Sequence, residues 1–145
     1  MGLFSFVKAA GEMLGIGGGK QEAEAEALKK QVADLGLAGE DLKVTLEGDK
    51  VKVSGKAADQ ETKEKIVLAL GNVAGVSQVE ESIVTPEAKP EAKFHTVVKG
   101  DTLWKIAQTH YGNGANYTAI FEANKPMLKD PDKIYPGQVL RIPAL

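Results

Sequence analysis

Residues 85 to 93 read Thr-Pro-Glu-Ala-Lys-Pro-Glu-Ala-Lys, a Pro-Glu-Ala-Lys unit given twice with no large apolar side chain. Nothing in such a stretch anchors it to a core, so it is read as a linker. It divides a 145-residue chain into two pieces of small-domain size, residues 20–84 and 94–145, behind a leader at 1–19. Extended at roughly 3.1 Å per residue, the linker spans up to about 28 Å, enough to separate the two domains or let them touch.

The two halves differ in charge. Residues 20–84 carry nine cations and thirteen anions, a net −4, while residues 94–145 carry six and four, a net +2. Mutual attraction is expected, screened by salt beyond about 8 to 10 Å. The whole chain is 43% hydrophobic and 26% charged, which suits folded domains. Its net charge of −2 gives no reason to expect nucleic-acid binding. The absence of cysteine excludes disulfides, thiolate nucleophiles, iron–sulfur clusters and cysteine zinc sites.

The leader looks apolar but fails the test of an export signal, because Lys8 sits inside it and Glu12 and five glycines, Gly11, Gly15 and Gly17 to Gly19, interrupt it. No span is long enough to cross a bilayer, and Phe6 stands where myristoylation wants Ser or Thr. A cytoplasmic location is the expectation. Leu3, Phe6, Val7, Ala10, Met13 and Leu14 recur at helical spacing, predicting a short amphipathic helix that ends at Gly17, Gly18 and Gly19. Its apolar face either docks on the following domain or lies on a membrane surface through Phe4, Phe6 and Leu14.

In residues 20–84, Ala25, Leu28, Val32 and Leu35 predict a helix over about 21 to 35, stopped at Gly36. Leu42, Val44 and Leu46 alternate with polar residues, Gly48-Asp49 turns the chain, and Val51 and Val53 alternate again, which is a hairpin. Asp59 caps a second helix whose Ile66, Leu70 and Val73 form one stripe, widened by Val67 and Ala69, and Val76 to Val84 forms a third strand despite Glu81 between Val79 and Ile83. This αββαβ order, with Val51-Lys52-Val53-Ser54-Gly55 and Val73-Ala74-Gly75-Val76 around the second helix, resembles the BON domain, a non-enzymatic binding module.

In residues 94–145, Phe94 to Val98 reads as a strand and Gly100 to Trp104 as a turn into a helix with Leu103, Ile106, Ala107 and Tyr111 buried. Asn116 or a neighbour caps a further helix with Tyr117, Ile120, Phe121 and Asn124, and Ile134 to Pro143 supplies a turn and an edge strand. These motifs resemble the LysM domain, a βααβ module. The fold class is therefore α+β in two small domains.

Catalysis has little to work with. His95 and His110 are not at metal-ligand spacing, and Glu22, Glu24 and Glu26 read as a solvated helix face, so no enzyme is expected. The LysM resemblance implies a groove for N-acetylglucosamine polymers, here Gly100, Asp101, Thr102, Leu103, Ile134, Tyr135, Pro136 and Gly137. That makes a peptidoglycan-binding adaptor the alternative function.

Leader, BON domain, linker and LysM domain together resemble the bacterial BON–LysM potassium-binding family, from Met1-Gly2-Leu3-Phe4 and Phe6-Val7-Lys8 through Phe121-Glu122-Ala123-Asn124-Lys125-Pro126-Met127-Leu128-Lys129. The resemblance implies selective, reversible K+ binding by a cytoplasmic monomer, with links to potassium and osmotic stress responses. Potassium is weakly hydrated and main-chain carbonyls replace its water. Helix C-termini present unpaired carbonyls at the negative end of the dipole. The residues expected to hold the ion are Gly71, Val73, Gly75 and Val76 at the second helix's exit, with Val7, Ala10 and Gly11 of the leader. Rb+ and Cs+ are the expected substitutes, and an ion-dependent conformational change would follow from clamping the leader to the BON domain.

Overall fold

The structure is a computed structural model that describes residues 2–6, 21–37, 39–86 and 92–144. Its elements in chain order are β1 (Gly2–Ser5), α1 (Gln21–Asp34), β2 (Gly39–Glu47), β3 (Lys50–Ala57), α2 (Gln60–Gly71), β4 (Gln78–Val84), β5 (Lys93–Thr96), α3 (Leu103–Tyr111), α4 (Tyr117–Ala123) and β6 (Val139–Ile142). From α1 to β4 the order is αββαβ, and from β5 to β6 it is βααβ, both as the sequence predicts.

Four strands form one sheet in the order β1-β4-β3-β2. The hairpin pairs Val44 with Val53 and Leu46 with Val51, so its apolar residues stand opposite one another. Strands β3 and β4 run parallel, which requires a crossover, and α2 supplies it. Asp59 caps α2 by accepting the Thr62 N–H at 2.8 Å. Ile66, Val67 and Leu70 of α2 are fully buried with Leu28 and Val32 of α1 against Val51, Val53, Val79 and Ile83 of the sheet. Burying each such side chain contributes about 1.5–3 kcal/mol.

The carboxylates of Glu24 and Glu81 are buried in this domain. Glu81 faces the core at 3% exposure, with its carboxylate 3.4 Å from the Lys63 ammonium of α2 and accepting the Ile83 N–H at 3.0 Å. Glu24, expected on a solvated face, is buried, whereas Glu26 is exposed.

The start of the leader also departs from expectation. Gly2–Ser5 is a strand, antiparallel to β4, with Phe4 opposite Val79 and Ser5 opposite Gln78. With β3 on one side, β4 offers its other edge, and pairing satisfies backbone groups that an isolated short helix satisfies poorly. Val7, Ala10, Gly11, Met13, Leu14 and Gly17 to Gly19 lie outside the described residues, as do linker positions 87–91.

In the second domain β5 and β6 pair antiparallel, His95 opposite Leu140. Thr102 caps α3 by accepting the Lys105 N–H at 3.1 Å, and Gly112 ends it in a left-handed conformation. Asn113 starts the one-turn 3-10 helix at 114–116 by accepting the Ala115 N–H, while Asn116 makes no side-chain cap bond to α4. Val97, Leu103, Ile106, Ala107, Ile120, Leu128, Leu140 and Ile142 form a core of their own.

All four residues of β6 are buried, although only β5 pairs with it. Leu140 and Ile142 face the LysM core. Val139 and Arg141, on the opposite phase, are turned to the first domain. The Arg141 guanidinium bonds Glu64 of α2 through Nε at 2.9 Å and Nη2 at 2.8 Å, and donates to the Ala123 carbonyl at 3.0 Å. Met127 packs on the first core, and the Phe4 and Phe94 rings meet edge to face at 5.3 Å.

Candidate functional site

The exit of α2 runs from Gly71 through Asn72 to the turn at Val73–Val76. Gly71 is the last residue of the helix and is buried, and a methyl group on it would overlap the Phe6 ring. Asn72 closes the helix with its N–H on the Leu68 carbonyl at 2.9 Å. Val73 and Val76 bury their side chains completely and so anchor the turn between them at both ends. The Val76 N–H bonds the Val73 carbonyl at 3.1 Å, leaving that oxygen a second lone pair. Gly75, at φ +100°, holds a conformation that a side chain would strain.

The leader arrives at this turn. The Phe6 N–H donates to the Ser77 carbonyl at 2.8 Å, next to Val76, and the Ser77 N–H donates to the Asp49 carbonyl of the hairpin at 2.9 Å. Gly71 lies under the Phe6 ring and Val73, Gly75 and Val76 follow it in the turn to Ser77, while Val7, Ala10 and Gly11 are outside the described residues. Carbonyls at a helix C-terminus carry partial negative charge. Among the described residues no three His, Asp or Glu side chains gather closely enough to hold a metal ion.

Asn72 joins this turn to the second domain. Its side-chain amide donates to the Val139 carbonyl at 2.9 Å, and its Oδ1 accepts the Val139 N–H at 2.9 Å. Asn124 does the same for Arg141, accepting its N–H at 2.8 Å and donating to its carbonyl at 2.9 Å. Two asparagines, one from each domain, therefore occupy the edge of β6 that β5 leaves open. Beside Asn72 a cleft of about 670 Å³ opens between the domains, lined by Gln31, Asp34, Lys129, Asp130 and Tyr135 among others.

The expected glycan groove is divided among other tasks. Asp101 accepts from His95 and from the Val98 N–H, Thr102 caps α3, and Leu103 is core. The His95 hydrogen bond, followed by that of Val98, holds the Asp101 carboxyl below its ordinary value. Gly137 donates to the Val97 carbonyl at 2.7 Å, and the Tyr135 N–H meets the Gln138 amide at 3.3 Å. Gly100 and Pro136 are exposed, and Ile134 packs on the LysM core.

Sequence reasoning missed Asn72, Glu64 and Arg141 as junction residues. One signal was available: Arg141 interrupts the apolar run Val139-Leu140-Arg141-Ile142, a charge where a strand with one wet face would still place it but a doubly covered one needs a partner.

Residues 21–86 match the BON domain and residues 95–143 the LysM domain. The chain is 44% identical over 147 aligned positions to the potassium binding protein Kbp of Escherichia coli, covering 99% of each. It is 38% identical over 120 positions to an uncharacterized protein of Deinococcus radiodurans, covering 74% of this chain and 46% of that one. The spore coat assembly protein ExsA of Bacillus cereus matches at 40% over 52 positions, 36% of this chain and 8% of that protein. With a BON and a LysM domain of its own and 44% identity along 99% of its length, the chain belongs to the family of the potassium binding protein Kbp.

Proposed function

We propose that this protein binds K+ selectively and reversibly, through main-chain carbonyls of Gly71, Val73, Gly75 and Val76 joined by those of Val7, Ala10 and Gly11. The observation that carries the reading is the seating of Phe6 on this turn, ring over Gly71 and N–H on the Ser77 carbonyl. That contact delivers the leader to the carbonyl-rich exit of α2, and the relative matched along 99% of the chain is named for potassium binding. The role is non-enzymatic. Rb+ and Cs+, close to K+ in size and hydration, substitute for it, and Na+ does not, because its tighter water shell is harder to replace with peptide oxygens.

Ion binding is read out through Asn72, which belongs to the ion turn and also grips β6. A change of the turn's conformation on ion release loosens that grip and with it the docking of the LysM domain. The protein works in the cytoplasm as a monomer in the potassium and osmotic response, without stable insertion in a membrane. Among the described residues no helix is long and apolar enough to cross one.

Calorimetric titration with the chlorides of potassium, rubidium, caesium and sodium at matched ionic strength tests the reading. Saturable heat is expected for the first three and none for sodium. Equal weak heats for all four would overturn it.

A further inference from the structure

A second polar cluster uses none of the residues of the α2 exit. His95 of β5 and His110 in the last turn of α3 meet edge to face, with ring centroids 5.3 Å apart and planes at 88°. His110 Nε2 lies 3.3 Å from His95 Nδ1. The other nitrogen of His95, Nε2, is 2.9 Å from Asp101 Oδ2, and that oxygen also accepts the Val98 N–H at 3.0 Å.

This pattern assigns the protons. An ionised carboxylate only accepts, so His95 carries its proton on Nε2 and turns the lone pair of Nδ1 towards His110. Burial, then the charges of His95 and Lys93, lower the His110 pKa and favour its neutral, ligating form. For a metal with bonds of about 2.0–2.1 Å to imidazole and tetrahedral angles, two nitrogen ligands stand roughly 3.3 Å apart. The two facing nitrogens already have that separation. Asp101 stands where a carboxylate behind a metal-bound histidine stands, fixing its tautomer and raising its basicity.

We propose that His95 Nδ1 and His110 Nε2 form a site for a divalent transition ion that prefers imidazole, with Zn2+ as the probe, and that Asp101 orients it. On binding, His110 gives up the Nε2 tautomer for Nδ1–H, so neutral imidazole meets the ion with no net loss of a proton. No third His, Asp or Glu converges on the point among the described residues, so water completes the coordination. His95 is 24% exposed at its side chain, which leaves room for that water. Potassium, which takes oxygen ligands, does not compete.

The test is titration of the full-length protein with ZnCl2 in saturating KCl, followed by calorimetry and by the imidazole signals in nitrogen-15 spectra. One Zn2+ per chain is expected, moving the His95 and His110 signals together. His110→Gln, which keeps a polar group but lacks the ligand nitrogen, should weaken Zn2+ at least about tenfold, and Asp101→Asn by about 10- to 100-fold. Circular dichroism checks that each variant folds, and K+ heats should be unchanged in both. Absence of Zn2+ binding, binding that leaves both imidazole signals in place, or equal affinity in folded His110→Gln protein would each overturn the proposal, the last two assigning Zn2+ to another part of the surface.

Discussion

Gly71 shows how one missing methyl group positions a whole segment. Its place is buried at the end of α2, and the Phe6 ring fills the space a Cβ would take. Gly71→Ala should cost about 1–3 kcal/mol, as overpacking a tight contact does. Chemical denaturation measures that loss. Because the ring would have to leave, K+ affinity should fall with it, and a variant that loses stability but keeps its K+ heat would separate Phe6 from the ion site. Asn72 is the other single residue with two duties. Asn72→Ala removes one bond in each direction to Val139, and the strand groups left unpaired should cost about 1–3 kcal/mol. If the grip of Asn72 is the readout, scattering profiles of this variant with K+ and without it should coincide, while those of the original protein differ.

At the scale of elements, the leader and β6 illustrate opposite outcomes. The three- and four-residue spacing of Leu3, Phe6 and Val7 predicts a helix, yet Gly2–Ser5 pairs with β4. Local spacing lost to a sheet edge that offered backbone partners, a contest no local pattern registers. The αββαβ and βααβ orders were legible because periods of two and of 3.6 residues are properties of neighbouring residues. The exit turn was legible as a glycine-rich helix end where the leader docks, but the seating of the Phe6 ring on Gly71 at the end of a strand was not. Deleting residues 2–11 removes β1 and the leader's proposed carbonyls together. K+ heat should vanish while the spectral signature of the LysM domain persists, and undiminished heat would remove the leader from the site.

Across the whole molecule, the expected attraction between oppositely charged halves takes a local form. Glu64 is 2% exposed and Arg141 6%, and the pair crosses the junction deep enough to be little screened by salt. Arg141→Met alone leaves a buried carboxylate whose remaining bonds come from Gln60 and the Ala92 N–H, and should cost about 3–5 kcal/mol by thermal or chemical unfolding. Glu64→Leu together with Arg141→Met should restore most of that, because an apolar pair carries no desolvation cost. A double variant no better than the single one would mean the pair does more than neutralise itself.

By itself the chain's order of residues determined two domains, the succession of helices and strands within each, and the membership that follows from them, because turn residues, caps and apolar periodicity act over a few neighbours. Only the tertiary structure decided that Gly2–Ser5 is a strand, that β6 is covered on both faces, and that Asn72 and Arg141 join the domains. Their partners lie 67 and 77 residues away along the chain, and no pattern among neighbouring residues encodes a contact across that separation.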